Sequence, residues 1–254
     1  MTELQKVAAL ALSCLDLTNL DDDCDASAIK QLCGRAVTRH GAVAAVCVWP
    51  KFVAQARSLL LNTPVKVATV VNFPSGRDSI GEMRAHAGQA LADGADEIDM
   101  VIPWEDLLEG HAEVVEPTVR NVRSEVASAV LKAILETGML ESPDFVRKAA
   151  QDAIDGGADY LKTSTGKASV GVKPEAAAVV LETIRASGKV VGFKPSGGVR
   201  TAEDAAFYIA MAQDVMGADW VTPQHFRIGS ARLLDDLLAV LDGPDERASS
   251  EEGY

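Results

Sequence analysis

Eight short runs rich in valine and isoleucine recur along the chain, each separated from the next by a longer stretch of helical apolar period. The runs are "CLDLT" (14–18), "VAAVCVWP" (43–50), "VKVATVVNFP" (65–74), "DEIDMVIP" (96–103), "AVLKAILET" (129–137), "DYLKTSTG" (159–166), "KVVGFKPSGG" (189–198) and "HFRIGS" (225–230). In the stretch 174–187, Ala176, Val179, Val180 and Ile184 fall on one helical face. Helix entry is signalled by Ser142-Pro143, by Lys173-Pro174, and by Thr201 followed three residues later by Asp204.

The tripeptide Gly-Ala-Asp occurs at 94–96, 157–159 and 217–219, each time after a helical pattern. Its glycine suits a left-handed helix C-cap. The spacings of 63 and 60 residues are about twice the ~31 expected when some 250 residues divide into eight β/α units. The pattern predicts an α/β protein, a single (β/α)8 TIM barrel over residues 1–242. An open doubly wound sheet is the structural alternative, but no G-x-G-x-x-G or P-loop follows a strand. The polar end "GPDERASSEEGY" (243–254) is expected to be a mobile tail.

Composition narrows the function. With 254 residues, 48% hydrophobic and 24% charged, the chain has an ordinary globular make-up. No apolar run reaches the ~18–20 residues of a membrane span, and "MTELQKVAAL" lacks the features of a signal peptide. A net charge of −13 sets the surface against nucleic acid and anionic membranes. An anionic substrate therefore needs a local basic cluster. Cys14, Cys24, Cys33 and Cys47 form no C-x-x-C pair and read as free thiols in a reducing cytoplasm. The four histidines are scattered and "DDDCD" (21–25) lacks the glycine of a calcium loop, so no metal site is expected.

Catalytic groups in such a barrel sit at the C-terminal strand ends. Asp99 interrupts the fourth run, Lys162 the sixth and Lys194 the seventh. Neighbouring strands lie about 4.8 Å apart, so the two lysines can approach each other. Adjacent ammonium groups and partial burial both push a lysine toward the neutral amine, the form that attacks a carbonyl to make a Schiff base. Asp99 would then move protons. A structural ion-pair network among the three is the plain alternative. Three loops suit a phosphate: "STGK" with Thr165, Gly166 and Lys167, "SGGVR" with Gly197, Gly198, Val199 and Arg200, and "RIGSAR" with Gly229, Ser230 and Arg232, which opens the last helix.

On "LKTSTGK", "GFKPSGGVR" and "DEIDMVIP" the chain resembles the deoxyribose-phosphate aldolase family, class I (Schiff-base) aldolases with a (β/α)8 fold, and the likeness covers nearly its whole length. The resemblance implies Lys162 as nucleophile, Lys194 as the lysine that perturbs it, and Asp99 as the proton-relay acid. It implies reversible cleavage of 2-deoxy-D-ribose 5-phosphate to D-glyceraldehyde 3-phosphate and acetaldehyde, without a cofactor. Thr18, Leu20, Cys47 and Thr165 match pocket positions, and Tyr254 matches a C-terminal tyrosine brought to the site from the tail. The family often has consecutive serines after the eighth strand, whereas this chain has Ser230-Ala231-Arg232. A Schiff-base barrel with another donor, a metal-assisted sugar-phosphate isomerase, and a non-catalytic phosphometabolite-binding barrel are the competing readings. Assembly is left open, with a homodimer among the options.

Overall fold

The computed structural model describes residues 1–111, 113–140 and 142–251, the segment 244–251 by its backbone alone. Every apolar run contains a strand: β1 (Leu15–Asn19), β2 (Ala45–Val48), β3 (Lys66–Val71), β4 (Glu97–Val101), β5 (Val130–Ile134), β6 (Tyr160–Lys162), β7 (Gly192–Lys194) and β8 (Ile228–Ser230). All eight run parallel in the order β8-β1-β2-β3-β4-β5-β6-β7. The ring closes between β7 and β8, where the Phe193 N–H donates to His225 O (2.8 Å) and Phe193 O accepts from Arg227 N–H (3.0 Å). Helices between successive strands form the outer layer, giving the (β/α)8 barrel. A small hairpin, Val37–Thr38 with Gly41–Ala42, is an addition that the apolar pattern does not announce.

The Gly-Ala-Asp repeat has a structural reason. Gly94 and Gly157 take φ of 101° and 95°, conformations costly for other residues, and turn the chain from helix to strand. The aspartate then reaches sideways: Asp96 accepts the Val67 N–H and Asp159 the Leu131 N–H, both at 2.8 Å. Each carboxylate also pairs with an arginine, Arg57 or Arg123. The repeat thus ties the lower end of one strand to its neighbour.

In the helix Pro174–Ser187 the buried stripe is Ala177, Val180, Leu181 and Ile184. Ala176 and Val179 are only half-buried, so the face is rotated by one position from that expected. The last helix, Leu233–Glu251, is broken at Gly243 (φ 72°), where the expected tail begins. Residues 252–254, Tyr254 among them, lie outside the described residues. Among the described residues no helix is long and apolar enough to cross a membrane. The apolar core lies between strands and helices, and a smaller cluster of Leu20, Ala45, Cys47, Ala68 and Val70 lines part of the barrel interior. Much of the rest of that interior is charged.

Candidate active site

Side chains at paired positions on neighbouring strands point to the same side of a parallel sheet. Lys162 pairs with Lys194 across β6 and β7, and Asp99 pairs with Lys132 across β4 and β5. All four point into the barrel and converge. Asp99 Oδ2 accepts from Lys162 Nζ (2.9 Å) and Lys194 Nζ (2.8 Å), while its Oδ1 accepts from Lys132 Nζ (2.7 Å). Lys194 also donates to Asp16 of β1. Below them, Lys132 meets Glu97 at 2.6 Å, and Arg227 bridges Asp16 and Glu97, each at 2.8 Å. A side chain at Gly229 would place its Cβ 3.1 Å from Lys194 Cε, so this glycine leaves room for the lysine stem.

Four basic and three acidic side chains make up this network, and all are buried. If all ionise, one positive charge is left over. A neutral amine at Lys162 leaves three cations facing three carboxylates. Burial alone would raise the Asp99 carboxyl, but Lys132, Lys162 and Lys194 outweigh it and hold the group well below the usual carboxylate range. Asp16 is likewise held low against burial, chiefly by Lys194 and Arg227. Lys194 departs from the expectation that two facing lysines depress each other. Burial does favour its neutral form, yet Asp16 and Asp99 prevail and raise it above the ordinary lysine value.

Above the network a cavity of about 280 Å³ opens at the C-terminal strand ends. Its floor includes Lys162 and Thr18, and its walls include Leu20, Thr165, Gly166 and Lys167. The far side is formed by Gly197, Gly198, Val199, Arg200, Gly229, Ser230 and Arg232, with Asp21, Ser196 and Ala231. Arg200 and Arg232 are exposed at this rim, and neither guanidinium is engaged by another side chain among the described residues. Lys167 is engaged, donating to Asp22 Oδ1 at 2.7 Å beside the Trp49 ring.

Three expectations need adjustment. Cys47 is fully buried behind the wall, in the apolar cluster with Leu20, and burial pushes its thiol up. Ser230 spends its hydroxyl on the fold, donating to Val199 O (2.7 Å) and accepting from the N–H groups of Arg232 and Leu233. Arg232 directly precedes the last helix rather than standing within it.

Lys132, Asp16, Glu97 and Arg227 escaped the sequence reading, as did Glu136, which holds Thr165. The signal was present, because Asp16, Lys132 and Arg227 each interrupt one of the apolar runs. A charge inside a run that a barrel buries needs a partner, and here the partners are one another.

Comparison with known proteins agrees with this geometry. The model of the DeoC/LacD family aldolases matches residues 10–238. A deoxyribose-phosphate aldolase of Agrobacterium fabrum is 47% identical over 99% of this chain and 99% of its own length. Among solved structures, a Coccidioides immitis protein provisionally described as a deoxyribose-phosphate aldolase is 30% identical, with a TM-score of 0.80 over 92% of this chain and 87% of that one. The deoxyribose phosphate aldolase of Aeropyrum pernix, at 22% identity and a TM-score of 0.76 over 94% and 98% of the two chains, shares the fold. With a full barrel matched, a near-complete relative and a lysine-lined strand-end cavity, the chain belongs to the DeoC/LacD family of aldolases.

Proposed function

We propose that this aldolase reversibly cleaves 2-deoxy-D-ribose 5-phosphate to D-glyceraldehyde 3-phosphate and acetaldehyde through an imine on Lys162. The observation that carries the reading is the meeting of Lys162 and Lys194 on one oxygen of Asp99 at the cavity floor. Asp99, kept anionic by its lysines, takes the proton that Lys162 must lose to attack the substrate aldehyde. The carbinolamine loses its hydroxyl as water when Asp99 returns the proton it took, while Lys194, kept charged beside it, acts through its field on Lys162. The iminium then draws the electrons of the breaking carbon–carbon bond as the neighbouring hydroxyl gives its proton, by way of a water, to Asp99. Glyceraldehyde 3-phosphate departs, and protonation of the enamine followed by hydrolysis releases acetaldehyde and restores the amine.

The phosphate end of the substrate fits the rim. Arg200, Arg232 and Lys167 supply cations there in a chain of net charge −13, beside the backbone of the two glycine loops. Tyr254 is proposed, on the family resemblance alone, to bring its phenol to the enamine from the tail. Four buried free thiols and the acidic composition fit an enzyme of the cytoplasm. The test is release of acetaldehyde from 2-deoxyribose 5-phosphate by wild type and Lys162→Ala. Turnover by wild type alone supports the reading; equal turnover by both excludes it.

A further inference from the structure

Glu136 lies two residues past β5 and is 2% exposed, with φ of +52°, a conformation non-glycine residues seldom adopt. A buried carboxylate held in such a conformation needs something to hold it. Among the described residues its carboxylate is hydrogen-bonded by Thr165 alone: by the N–H, at 3.2 and 3.4 Å from the two oxygens, and by the hydroxyl, which donates to Oε2 at 2.5 Å. The same Thr165 oxygen accepts the Lys167 N–H at 3.0 Å. A threonine hydroxyl has one proton and two lone pairs. Here the proton and one lone pair are committed, so Thr165 can offer a ligand only its second lone pair.

Thr165 lines the cavity and lies between Lys162 and Lys167 along the same loop. On the aldolase reading, this loop runs from the imine end of a bound substrate toward its phosphate end, past the acceptor's hydroxyl. We propose that Glu136 is a positioning residue that fixes the Thr165 hydroxyl as an acceptor and so selects acceptor aldehydes bearing a hydroxyl beside the carbonyl. This rests on the aldolase reading above and adds to it a determinant of acceptor choice. An acceptor lacking that hydroxyl leaves a buried lone pair unmatched, a penalty that sites built to bind a hydroxyl use for discrimination.

Ionised Glu136 is what holds the Thr165 proton. Burial raises the Glu136 carboxyl above the ordinary range, against the Thr165 hydrogen bonds and the Lys162 charge that faces it. As pH falls through that raised value the carboxylate takes its own proton, the Thr165 hydroxyl is freed to rotate, and selectivity declines.

The experiment compares kcat/KM for acetaldehyde addition to D-glyceraldehyde 3-phosphate and to the same aldehyde without its hydroxyl. It uses wild type, Glu136→Gln, Glu136→Leu, Thr165→Val and the Glu136→Leu/Thr165→Val pair, with borohydride trapping of acetaldehyde at Lys162 in each. Wild type should favour the hydroxylated acceptor by about tenfold or more. Glu136→Leu and Thr165→Val should each erase most of that preference, and the pair no more than either alone. Glu136→Gln, which still accepts from the hydroxyl, should keep most of the preference and lose its decline in acid. Equal losses on both acceptors, additive losses in the pair, or an unchanged acid decline in Glu136→Gln would overturn the proposal while the trapped adduct persists. Absence of the adduct in wild type would instead overturn the aldolase reading, and this proposal with it.

Discussion

Lys162 and Lys194 stand opposite each other in register and end on the same oxygen, Asp99 Oδ2, at 2.9 and 2.8 Å. Their roles are separated by what else they touch. Lys194 is clamped by a second carboxylate, Asp16, and is fully buried, whereas among the described residues Lys162 pairs within hydrogen-bond reach with Asp99 alone and reaches the cavity.

Lys194→Leu removes a cation from a network whose acids remain, so the network retains an extra proton at neutral pH. Activity should fall sharply near pH 7 and recover in part as pH rises. A pH–rate profile of kcat/KM checks this. A loss of the same size at every pH would assign Lys194 to direct proton transfer or to positioning.

Lys132 is fully buried between Glu97 and Asp99. Lys132→Met should cost roughly 3–5 kcal/mol in denaturant unfolding, because two carboxylates lose their shared cation. The pH dependence follows from the signs. Asp16 and Asp99 are depressed, so their contribution is present above the unfolded carboxylate value near ~4 and is lost as pH falls through their lower folded values. Lys132 and Lys194 are raised against burial by those same carboxylates, so theirs is present below ~10.4 and is lost as pH rises through the higher folded values. Unfolding midpoints should therefore be highest between these limits, with a shallower acid decline in Lys132→Met.

Most of the barrel was legible because its strands lie in apolar runs, several of them bounded by Gly-Ala-Asp or proline, and Lys162 and Lys194 stood out as charges at the ends of such runs. Lys132 and Arg227 were equally visible letters, but their importance depends on which strands face each other. Register across the sheet is a tertiary fact. Glu136 lay near the end of the run 129–137 that reads as a strand, and only the fold brings it to Thr165, 29 residues away. At Lys194 the expected depression does not occur, for the same reason: two lysines alone repel, but Asp16, from a strand far away in sequence, reverses the balance there together with Asp99.

Arg232 lines the cavity rim next to Ala231, which has no hydroxyl, and its guanidinium is unengaged among the described residues; it is proposed to contact the phosphate in place of that hydroxyl. A charge-assisted hydrogen bond to phosphate, trimmed by solvent to roughly 1–2 kcal/mol, corresponds to about a 5- to 30-fold loss of kcat/KM in Arg232→Ala. The loss should appear with 2-deoxyribose 5-phosphate and not with 2-deoxyribose. Equal losses on both would mean a disturbed loop.

Asp22 occupies the Lys167 ammonium across the cavity mouth while itself lying exposed. A phosphate arriving at Lys167 must compete with it. Asp22→Asn should lower KM for the phosphorylated substrate by about two- to fivefold, the value of an exposed pair, and leave the unphosphorylated sugar unchanged. Inhibition by inorganic phosphate should tighten by the same factor.

Imine formation at Lys162 is read directly by trapping. Borohydride reduction in the presence of acetaldehyde, followed by intact-mass measurement and peptide mapping, should add one two-carbon unit on Lys162, and Lys162→Ala should lose both adduct and turnover. An adduct on Lys194 or Lys167 with Lys162 unmodified, or an active Lys162→Ala, would contradict it.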